Sequence, residues 1–398
     1  MDKKTLPDGW LVKPMTEVVT WSSGGTPKAT EKSYYENGTI PWLVIGDLND
    51  GLVTKAQTKI TDAGLTNSNT KMIPPNTLLV AMYGSIGKLG VTGMPCCTNQ
   101  AIAYAKELHG VTTKYMFYYL SLMKPTLISL GKGGTQKNIS LTVLKSLNVT
   151  VPPFDEQSRI VARIEELFSE LDKAVDTLKT TKEQLEIYRQ TILVNAFRAV
   201  ANSTHLKVGC VCAKIVDCPH STPKWEKNGK LCLRTTNFKR GYLDLQSPNY
   251  VSEETFNDRN RRIIPQPGDV LYSREGSVLG IACTIPSNVY PCLGQRMMLL
   301  RSGEKLNNRY LMHYLNSPMV TNHVIATKGG TGSPHINVGD IKEFQIPIPS
   351  LEEQSNIVRQ IEEQLSSCDN VEKTVDAILT QADAMRQSIL KQAFEEKI

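Results

Sequence analysis

The chain contains an internal repeat with a very long period. The segment from Pro152 to Ser158 returns as the segment from Pro349 to Ser355, about 197 residues later, and the apolar pattern that follows each copy is repeated as well. A period of this length indicates a duplicated domain pair, because solenoid repeats have periods of roughly 20 to 50 residues. A duplicated chain of this kind is expected to engage a target that is itself roughly two-fold.

Shorter matches extend the repeat upstream of both copies. Thr26-Pro27-Lys28 is matched by Thr222-Pro223-Lys224, and Gly84-Ser85 is matched by Gly276-Ser277. Outside such matches the two halves differ almost everywhere, so the helical segments were kept alike while the other segments diverged. We predict two globular domains, residues 1–152 and 206–347, which alternate with two helical segments, residues 153–205 and 348–398.

Each globular domain is predicted to be α+β. Short apolar runs such as Thr77 to Met82 and Leu231 to Leu233 are typical of strands, whereas Lys114 to Met123 and Arg309 to Leu315 indicate one helix per domain. A domain of roughly 145 residues buries an adequate core without metals or disulfides.

The two repeated segments predict long helices that pair with each other. From Ile160 and from Ile357, apolar residues recur at alternating steps of four and three with no internal proline or glycine, which is the pattern of a coiled coil. Pro152-Pro153 marks the start of one helix, and a capping box of Ser350 and Glu353 marks the start of the other. Because the helices are related by duplication, we expect an antiparallel coiled coil. The predicted seam residues are Ile160, Ile164, Leu167, Leu171, Leu178, Leu185, Ile192, Ile357, Ile361, Val371, Val375, Ile378, Met385 and Ile389.

The duplication also suggests a register for this pair. A two-fold axis near Asp176 and Lys373 would place Leu167 opposite Ala382, so that a large residue faces a small one. In this register Thr181 lies opposite Cys368.

Charge is distributed unevenly along the chain. The formal net charge is +6, but residues 1–152 carry 15 basic and 9 acidic side chains, residues 206–347 carry 18 and 11, and the helical segments are net acidic. Basic domains joined by acidic helices favour domains that contact phosphate and helices that do not. The alternative interpretation is ordinary surface charge.

Composition excludes several classes of protein. The sequence has nine cysteines, no apolar signal at its N-terminus and no stretch near the ~20 apolar residues of a membrane span, so we expect a cytoplasmic protein with reduced, mostly buried thiols. Cys210, Cys212, Cys218 and His220 lie close together in the sequence. Their spacing fits none of the usual paired zinc motifs, so no metal site is predicted.

The sequence shows no catalytic constellation. Val151-Pro152-Pro153-Phe154 looks like the N/D-P-P-Y/F motif of amino-methyltransferases that act on DNA, but Val151 lacks the side-chain oxygen that would accept from the target amino group. Gly87-Lys88 lacks the upstream glycine of a P-loop. The chain is therefore predicted not to be an enzyme; the alternatives are a fused DNA methyltransferase and a coiled-coil scaffold that binds only protein.

Loops in both domains carry residue types that contact DNA. The glycine-rich stretches at 133–138 and 329–335 combine flexible backbone with amide, hydroxyl and cationic side chains, although each also fits a simple tight turn. The first domain contains no arginine, so bidentate readout of guanine by arginine is possible only in the second. The candidate DNA-binding residues are Lys28, Tyr83, Lys88, Lys132, Thr135, Gln136, Lys137, Asn138, Lys224, Arg234, Asn237, Arg240, Arg274, Arg296, Lys328, Thr331, Ser333 and His335.

In these features the chain resembles the specificity subunit of type I restriction-modification systems. The resemblance covers essentially the whole chain and rests on the repeated helix starts, Pro152 to Gln157 and Pro349 to Gln354, and on the Gly-Gly-Thr loop before each of them. Ser350 replaces the second proline of the motif. The resemblance implies two target recognition domains that each read one half of a bipartite DNA sequence, and an antiparallel helical spacer that fixes the gap between the halves.

The same resemblance implies partners and cofactors. Two methyltransferase subunits would dock on the spacer, and restriction subunits would join them for cleavage of double-stranded DNA. No cofactor is expected on this chain, because S-adenosylmethionine, ATP and Mg would be bound by the partner subunits.

Overall fold

A computed structural model describes residues 7–132, 138–327 and 334–395. The chain forms two compact units, which divide the first long helix after Thr177 and the second after Ala377. Unit 1 joins the first globular domain to the last part of the chain, whereas unit 2 runs continuously from Leu178 to Ala377. Each unit therefore contains one domain and segments of both long helices.

The first globular domain is α+β, as predicted. A five-stranded sheet has the order β2-β9-β6-β7-β4, a three-stranded sheet has the order β5-β3-β8, and β1 pairs with β10. Its strands are β1 (Leu11–Pro14), β2 (Val19–Ser23), β3 (Ile40–Leu43), β4 (Gly51–Val53), β5 (Thr58–Ile60), β6 (Leu78–Ala81), β7 (Leu89–Thr92), β8 (Cys97–Thr98), β9 (Ile102–Leu108) and β10 (Asn148–Val151). Its helices are α1 (Met15–Val18), α2 (Asp62–Thr66), α3 (Thr113–Leu130) and α4 (Leu141–Lys145), and α5 (Phe154–Arg198) follows as the first long helix.

The second globular domain has a related architecture. A four-stranded sheet has the order β12-β20-β17-β18, a three-stranded sheet has the order β16-β13-β19, and two further pairs are β11-β21 and β14-β15. Its strands are β11 (His205–Lys207), β12 (Cys212–Asp217), β13 (Lys230–Leu233), β14 (Phe238–Lys239), β15 (Tyr242–Leu243), β16 (Tyr250–Val251), β17 (Val270–Ser273), β18 (Ala282–Thr284), β19 (Cys292–Leu293), β20 (Met297–Ser302) and β21 (Gln345–Pro347). Its helices are α6 (Val208–Val211), α7 (Glu253–Arg259), α8 (Asn308–Leu315), α9 (Pro318–Thr327) and α10 (Val338–Lys342), and α11 (Leu351–Phe394) is the second long helix.

The start of the second long helix is capped as its sequence predicts. The Ser350 amide donates to Glu353 Oε2 at 2.9 Å, and the Glu353 amide donates to Ser350 Oγ at 3.3 Å. These bonds satisfy two amides that a helix N-terminus otherwise leaves without a partner. Hydrogen bonding from Ser350 also lowers the pKa of Glu353, and the negative charge is favourable at this end of the helix dipole.

Gln157 fixes the first domain to the start of α5. Its side chain is fully buried. Its Oε1 accepts from the Thr112 amide at 2.9 Å, and its Nε2 donates to the carbonyls of Gly110 at 2.8 Å and Pro152 at 3.0 Å. Because Thr112 is the N-cap of α3, one buried amide joins a helix of the domain to the long helix.

Gln354 repeats this arrangement in unit 2. It is also fully buried. Its Oε1 accepts from the Asn307 amide at 2.8 Å, and its Nε2 donates to the carbonyls of Lys305 at 3.0 Å and Pro349 at 2.9 Å. Asn307 is the N-cap of α8, so the equivalence with Gln157 is complete.

The last turn of each long helix packs on the globular domain that precedes the other long helix. Phe197, near the end of α5, is buried against the second domain, and Phe394, the last residue of α11, lies against the first. The centroid distances are 5.2 Å for Phe197 with Tyr310, 5.1 Å for Phe197 with Tyr314, 5.2 Å for Phe394 with Tyr115 and 5.5 Å for Phe394 with Tyr119. All four ring pairs are edge-to-face, a favoured geometry for aromatic contacts.

Ion pairs between the two long helices show that they run antiparallel in each unit. In unit 2, Arg189 contacts Asp369 at 2.5 Å and Glu372 at 2.8 Å, and Lys182 contacts Asp376 at 2.8 Å. Burial opposes the charge of Arg189, but hydrogen bonds and charges from the two carboxylates outweigh it and raise its pKa. In unit 1, Arg386 pairs with Asp172 and lies over the ring of Phe168, 5.1 Å from its centroid.

The structure corrects part of the predicted seam. Seven of the predicted residues are buried, namely Ile160, Ile164, Leu171, Ile192, Ile357, Ile361 and Val375, and four are half-buried, namely Leu167, Leu178, Leu185 and Ile389. However, Val371, Ile378 and Met385 are 45%, 41% and 48% exposed. The positions they were expected to fill are taken by the next residues along α11, Glu372, Leu379 and Arg386, which are half-buried. Two of these are charged, which is why an apolar pattern pointed to their neighbours.

Candidate nucleic-acid interface

Three connecting segments of the second domain are joined at the end of β17. Arg274, the first residue after β17, donates its amide to the carbonyl of Arg296 at 3.0 Å, and its own carbonyl accepts from the Ile336 amide at 3.0 Å. The Gly276 amide donates to the carbonyl of Pro334 at 2.9 Å. We call these segments, residues 274–280, 294–296 and 334–336, together with the adjoining residues 219–224, loop cluster 2.

The first domain contains the same backbone arrangement. The Met82 amide donates to the carbonyl of Ala101 at 2.9 Å, and the Met82 carbonyl accepts from the Ile139 amide at 2.9 Å. Tyr83 and Asn138 then form an isolated antiparallel bridge, as Glu275 and His335 do in the second domain. We call residues 24–28, 82–87, 99–101 and 138–139 loop cluster 1.

The repeated Thr-Pro-Lys segments are joined to these clusters by a glutamine. Thr26 hydrogen-bonds to Gln100 in the first domain, and Thr222 donates to Gln295 at 3.2 Å in the second. Gln295 also donates to the carbonyl of His220. Neither glutamine is among the candidate residues predicted from the sequence, although their equivalent positions in the duplication could have indicated them.

A buried arginine shapes the backbone of loop cluster 2. Arg259, at the end of α7, donates to the carbonyls of Leu293 at 2.6 Å, Gly294 at 2.7 Å, Ser221 at 3.1 Å and Pro219 at 3.2 Å. Its guanidinium donors satisfy four backbone carbonyls. The loop 219–224 is therefore fixed against the segment that carries Gln295 and Arg296.

A chain of charged side chains runs through loop cluster 2. The buried Arg274 guanidinium makes two bonds to Asp217, at 2.8 and 2.9 Å, and contacts Glu275 at 3.2 Å. Burial opposes the charge of Arg274, but the hydrogen bonds to Asp217 and the two carboxylate charges outweigh it, so its pKa is raised. Glu275 in turn lies 4.0 Å from Arg296, and His220 lies 3.2 Å from Asp217.

The candidate DNA-binding residues fall into three groups. Eight are exposed, namely Lys28, Tyr83, Lys132, Asn138, Lys224, Arg234, Arg240 and Arg296, and two, Lys88 and His335, are half-buried. Asn237 and Arg274 are buried. The remaining six, Thr135, Gln136, Lys137, Lys328, Thr331 and Ser333, lie outside the described residues.

Three of these candidates lie on the segment around β14 in the second domain. Arg234 lies over the ring of Trp225, 5.4 Å from its centroid. Asn237 accepts from the Arg234 amide at 2.8 Å and donates to the Asp244 carbonyl at 3.0 Å, so its side chain stabilises a turn. Arg240 donates to the carbonyl of Asn316 at 3.2 Å. The Asn237 side chain is thus hydrogen-bonded to backbone groups of its own domain, whereas the Arg234 and Arg240 side chains are exposed.

The described residues show neither a metal cluster nor a membrane-spanning helix. Within residues 7–132, 138–327 and 334–395, no group of three or more His, Cys, Asp or Glu side chains is placed to hold a metal ion. No helix in the same ranges is long and apolar enough to cross a membrane. Seven of the nine cysteines are buried, as expected.

Comparison with known proteins identifies the family. The family model described as "Type I restriction modification DNA specificity domain" matches residues 7–186 and 217–381. The match covers most of the chain and includes one copy of the domain in each half. The chain belongs to this family.

Relatives and solved structures agree with this assignment. The chain is 22% identical to the type I restriction enzyme EcoKI specificity subunit of Escherichia coli K12 and to the StySPI specificity subunit of Salmonella potsdam, in each case over 100% of this chain and 91% of the relative. Its fold is similar to a chain in a structure of a type I R-M system solved to explain complex assembly and conformational transition, with a TM-score of 0.75, 18% identity and coverage of 99% and 100%. It is also similar to the HsdS subunit of Thermoanaerobacter tengcongensis, with a TM-score of 0.60, 19% identity and coverage of 100% and 99%. These likenesses support the fold of two α+β domains and paired long helices.

Proposed function

We propose that this chain is the DNA specificity subunit of a type I restriction-modification complex and that each globular domain reads one half of a bipartite DNA sequence. One observation carries the proposal: loop clusters 1 and 2 share a backbone arrangement but differ in the side chains they display. Met82 and Ala101 in the first domain correspond to Arg274 and Arg296 in the second. A common arrangement with different side chains is expected where two domains meet the same kind of ligand and read different sequences.

The exposed residues of both clusters have the chemistry that duplex DNA requires. Lys28 and Lys224 occupy equivalent exposed positions, where an ammonium group is suited to phosphate contacts that carry no sequence information. Tyr83 and Asn138 are exposed in loop cluster 1 and Arg296 is exposed in loop cluster 2. These residues supply hydroxyl, amide and guanidinium groups for base edges. The basic charge of both domains supports the same assignment.

The long helices are proposed to set the gap between the half-sites and to dock two methyltransferase subunits. Tyr188 on α5 and Met385 on α11 hold equivalent positions in the duplication and are 52% and 48% exposed. Both residues are apolar and remain exposed although the two helices pack together. Exposed apolar residues at equivalent positions favour a surface that binds other proteins. In this proposal the chain itself is non-catalytic and cytoplasmic. S-adenosylmethionine, ATP and Mg are bound by the methyltransferase and restriction subunits.

Methylome sequencing tests the proposal. Cells that carry the gene are expected to methylate adenines within a two-part sequence, and deletion of this gene alone should abolish that methylation because the catalytic subunits lose their sequence reader. Reintroduction of the gene should restore the same sequence. An unchanged methylome after deletion would favour the scaffold alternative, and methyl transfer from labelled S-adenosylmethionine by the purified chain alone would favour a fused methyltransferase.

A further inference from the structure

We propose that Arg296 reads a guanine in the half-site of the second domain, and that Glu275 and Arg274 position it. This inference rests on the proposed function and names residues that determine specificity within it. It separates the arginines of loop cluster 2 into one that contacts a base and one that holds the loop.

Arg296 is presented outward from an unusual backbone conformation. Its φ is +67°, in the left-handed region that residues other than glycine seldom adopt. Its side chain is 55% exposed. Strained backbone of this kind is concentrated at functional sites, where the surrounding structure holds it. Here the surrounding structure is the bond from the Arg274 amide to the Arg296 carbonyl and the contacts that Arg259 makes with the preceding loop.

Gly276 gives the Arg296 side chain room to lie against the backbone. A β-carbon placed on Gly276 would lie 3.3 Å from Arg296 Nη1, and the φ of Gly276 is +85°. The guanidinium therefore passes close over the Gly276 backbone. Its direction is limited on one side by this backbone and on the other by Glu275, 4.0 Å away.

Arg274 does not have a free guanidinium to offer a base. It is 6% exposed, and its donors are taken up by Asp217 and Glu275. A bidentate bond to a carboxylate fixes the plane of the guanidinium. The Arg274 guanidinium thus positions the Glu275 carboxylate, and this carboxylate positions Arg296. The Arg274 backbone also forms hydrogen bonds to the segments that contain Arg296 and Ile336.

The first domain provides an internal comparison. The same backbone bonds there join Met82, Ala101 and Ile139, and Tyr83 stands where Glu275 stands in the second domain. The arrangement therefore does not need the ion pairs in order to form. The four charged residues of the second domain, Asp217, Arg274, Glu275 and Arg296, serve a purpose particular to that domain, which we assign to the sequence it reads.

The chemistry of Arg296 selects guanine. A guanidinium donates two parallel hydrogen bonds to N7 and O6 of guanine in the major groove, and adenine offers an acceptor and a donor at the corresponding positions. A lysine at this position keeps the positive charge and can still donate to guanine, but it loses the rigid planar pair of donors. The two side chains are therefore expected to differ in the strength of the guanine preference.

The test uses the full chain assembled with its methyltransferase subunits and a library of duplexes with both half-sites randomised. Arg296→Gly removes the side chain and retains a residue that tolerates positive φ. We expect it to reduce the preference for guanine at one position of one half-site by roughly 5- to 150-fold. The sequence selected in the other half-site should be unchanged, which also shows that the variant complex is folded and assembled. Arg296→Lys should lose part of the same preference with a smaller loss of total binding.

Glu275→Gln tests the positioning role, since it keeps the size of the side chain and removes its charge. It should weaken the preference at the same base pair only, with no change in the thermal unfolding midpoint. Arg261→Ala is the matched control, because Arg261 lies in the same domain, is 79% exposed and pairs with Asp258 at 3.1 Å. It should select the parent sequence.

Three results would overturn the inference. If Arg296→Gly selects the parent sequence in both half-sites, the base is read elsewhere and the proposed function stands. If Arg296→Gly weakens all duplexes equally, Arg296 contacts phosphate. If Glu275→Gln leaves the preference intact, its positioning role is wrong. A parent complex that selects no sequence at all would overturn the proposed function itself.

Discussion

At the scale of single residues, the repeated glutamine explains why each long helix starts where it does. A side-chain amide offers both an acceptor and two donors, and Gln157 and Gln354 use all three functions on backbone groups. A glutamate would lack the donors, and an alanine would leave three backbone groups without partners. The motif Glu-Gln therefore combines a charge suited to the first turn with an amide that joins the helix to its domain.

Replacement of Gln354 by alanine should destabilise the protein strongly. A hydrogen bond contributes about 0.5–1.5 kcal/mol, and a buried group left without a partner costs more. Loss of three bonds, one of them to the buried Pro349 carbonyl, should therefore lower the free energy of unfolding on the order of 3 kcal/mol. Urea denaturation of the purified chain measures it. Gln364→Ala is the control, because Gln364 is an exposed residue of the same helix and should change stability by less than about 0.5 kcal/mol. Equal losses in the two variants would contradict the role given to Gln354.

The sequence identifies such residues better than it identifies their roles. The repeat marks Gln157 and Gln354 as parts of helix starts, but their partners Thr112 and Asn307 lie more than forty residues away along the chain. Likewise, composition shows that only the second domain can use arginine. It cannot show that Arg274 is buried while Arg296 is exposed, since burial depends on how distant loops meet. The sequence signal that best indicates burial of Arg274 is its equivalence to the apolar residue Met82 in the first domain.

At the scale of elements, charged residues inside the seam define the register of the long helices. Three ion pairs, Lys182 with Asp376, Arg189 with Asp369 and Arg386 with Asp172, join the same two heptad positions on opposite helices. In this register Cys368, which precedes Asp369, lies opposite Arg189 and Gln190. Thr181, which the sequence suggested as the partner of Cys368, lies eight residues before Arg189, so the register differs from the suggested one by about two helical turns. Helix length and most of the seam followed from the apolar pattern, and the antiparallel direction followed from the duplication. The pattern failed at the three exposed positions of α11, where two of the residues that replace them are charged.

The register predicts which engineered cysteine will cross-link to Cys368. Arg189 contacts Asp369 and Glu372, one and four residues after Cys368. Burial raises the pKa of the Cys368 thiol, and the charge of Arg189 opposes this rise. Because a disulfide needs Cα atoms within about 7 Å, Arg189→Cys should form a bond to Cys368 under mild oxidation. Peptide mass mapping identifies the product. Thr181→Cys is the matched control and should give little of it; the reverse result would restore the register that the sequence suggested.

At the scale of the whole molecule, each globular domain is held by contacts that the duplication repeats. The first domain meets Gln157 and Phe394, and the second meets Gln354 and Phe197. In each domain, two tyrosine rings contact the phenylalanine. Their hydroxyl groups also donate hydrogen bonds to carbonyls of the strand that precedes the long helix, as Tyr310 does to the Pro347 carbonyl at 2.9 Å. The domain order was predictable because the repeat marks these anchoring segments. The side chains proposed to contact bases were not, since they lie where the two halves differ.

These repeated anchors predict that one domain can replace the other. Strand pairing makes Lys13 to Thr150 the equivalent of Leu206 to Pro347, so a chain with Lys13 to Thr150 in both places keeps every anchoring contact. We expect its complex with the methyltransferase subunits to recognise two copies of the half-site that the first domain reads, because each domain meets its helix segments through the same contacts. Methylome sequencing of cells that express this chimera decides the outcome. The reciprocal chimera, with two copies of the second domain, is the control and should give the other half-site twice. Each chimera lacks one of the two globular domains. If either chimera still methylates a sequence that contains both parental half-sites, the missing domain is not the reader of its half-site, and the domains do not read DNA independently.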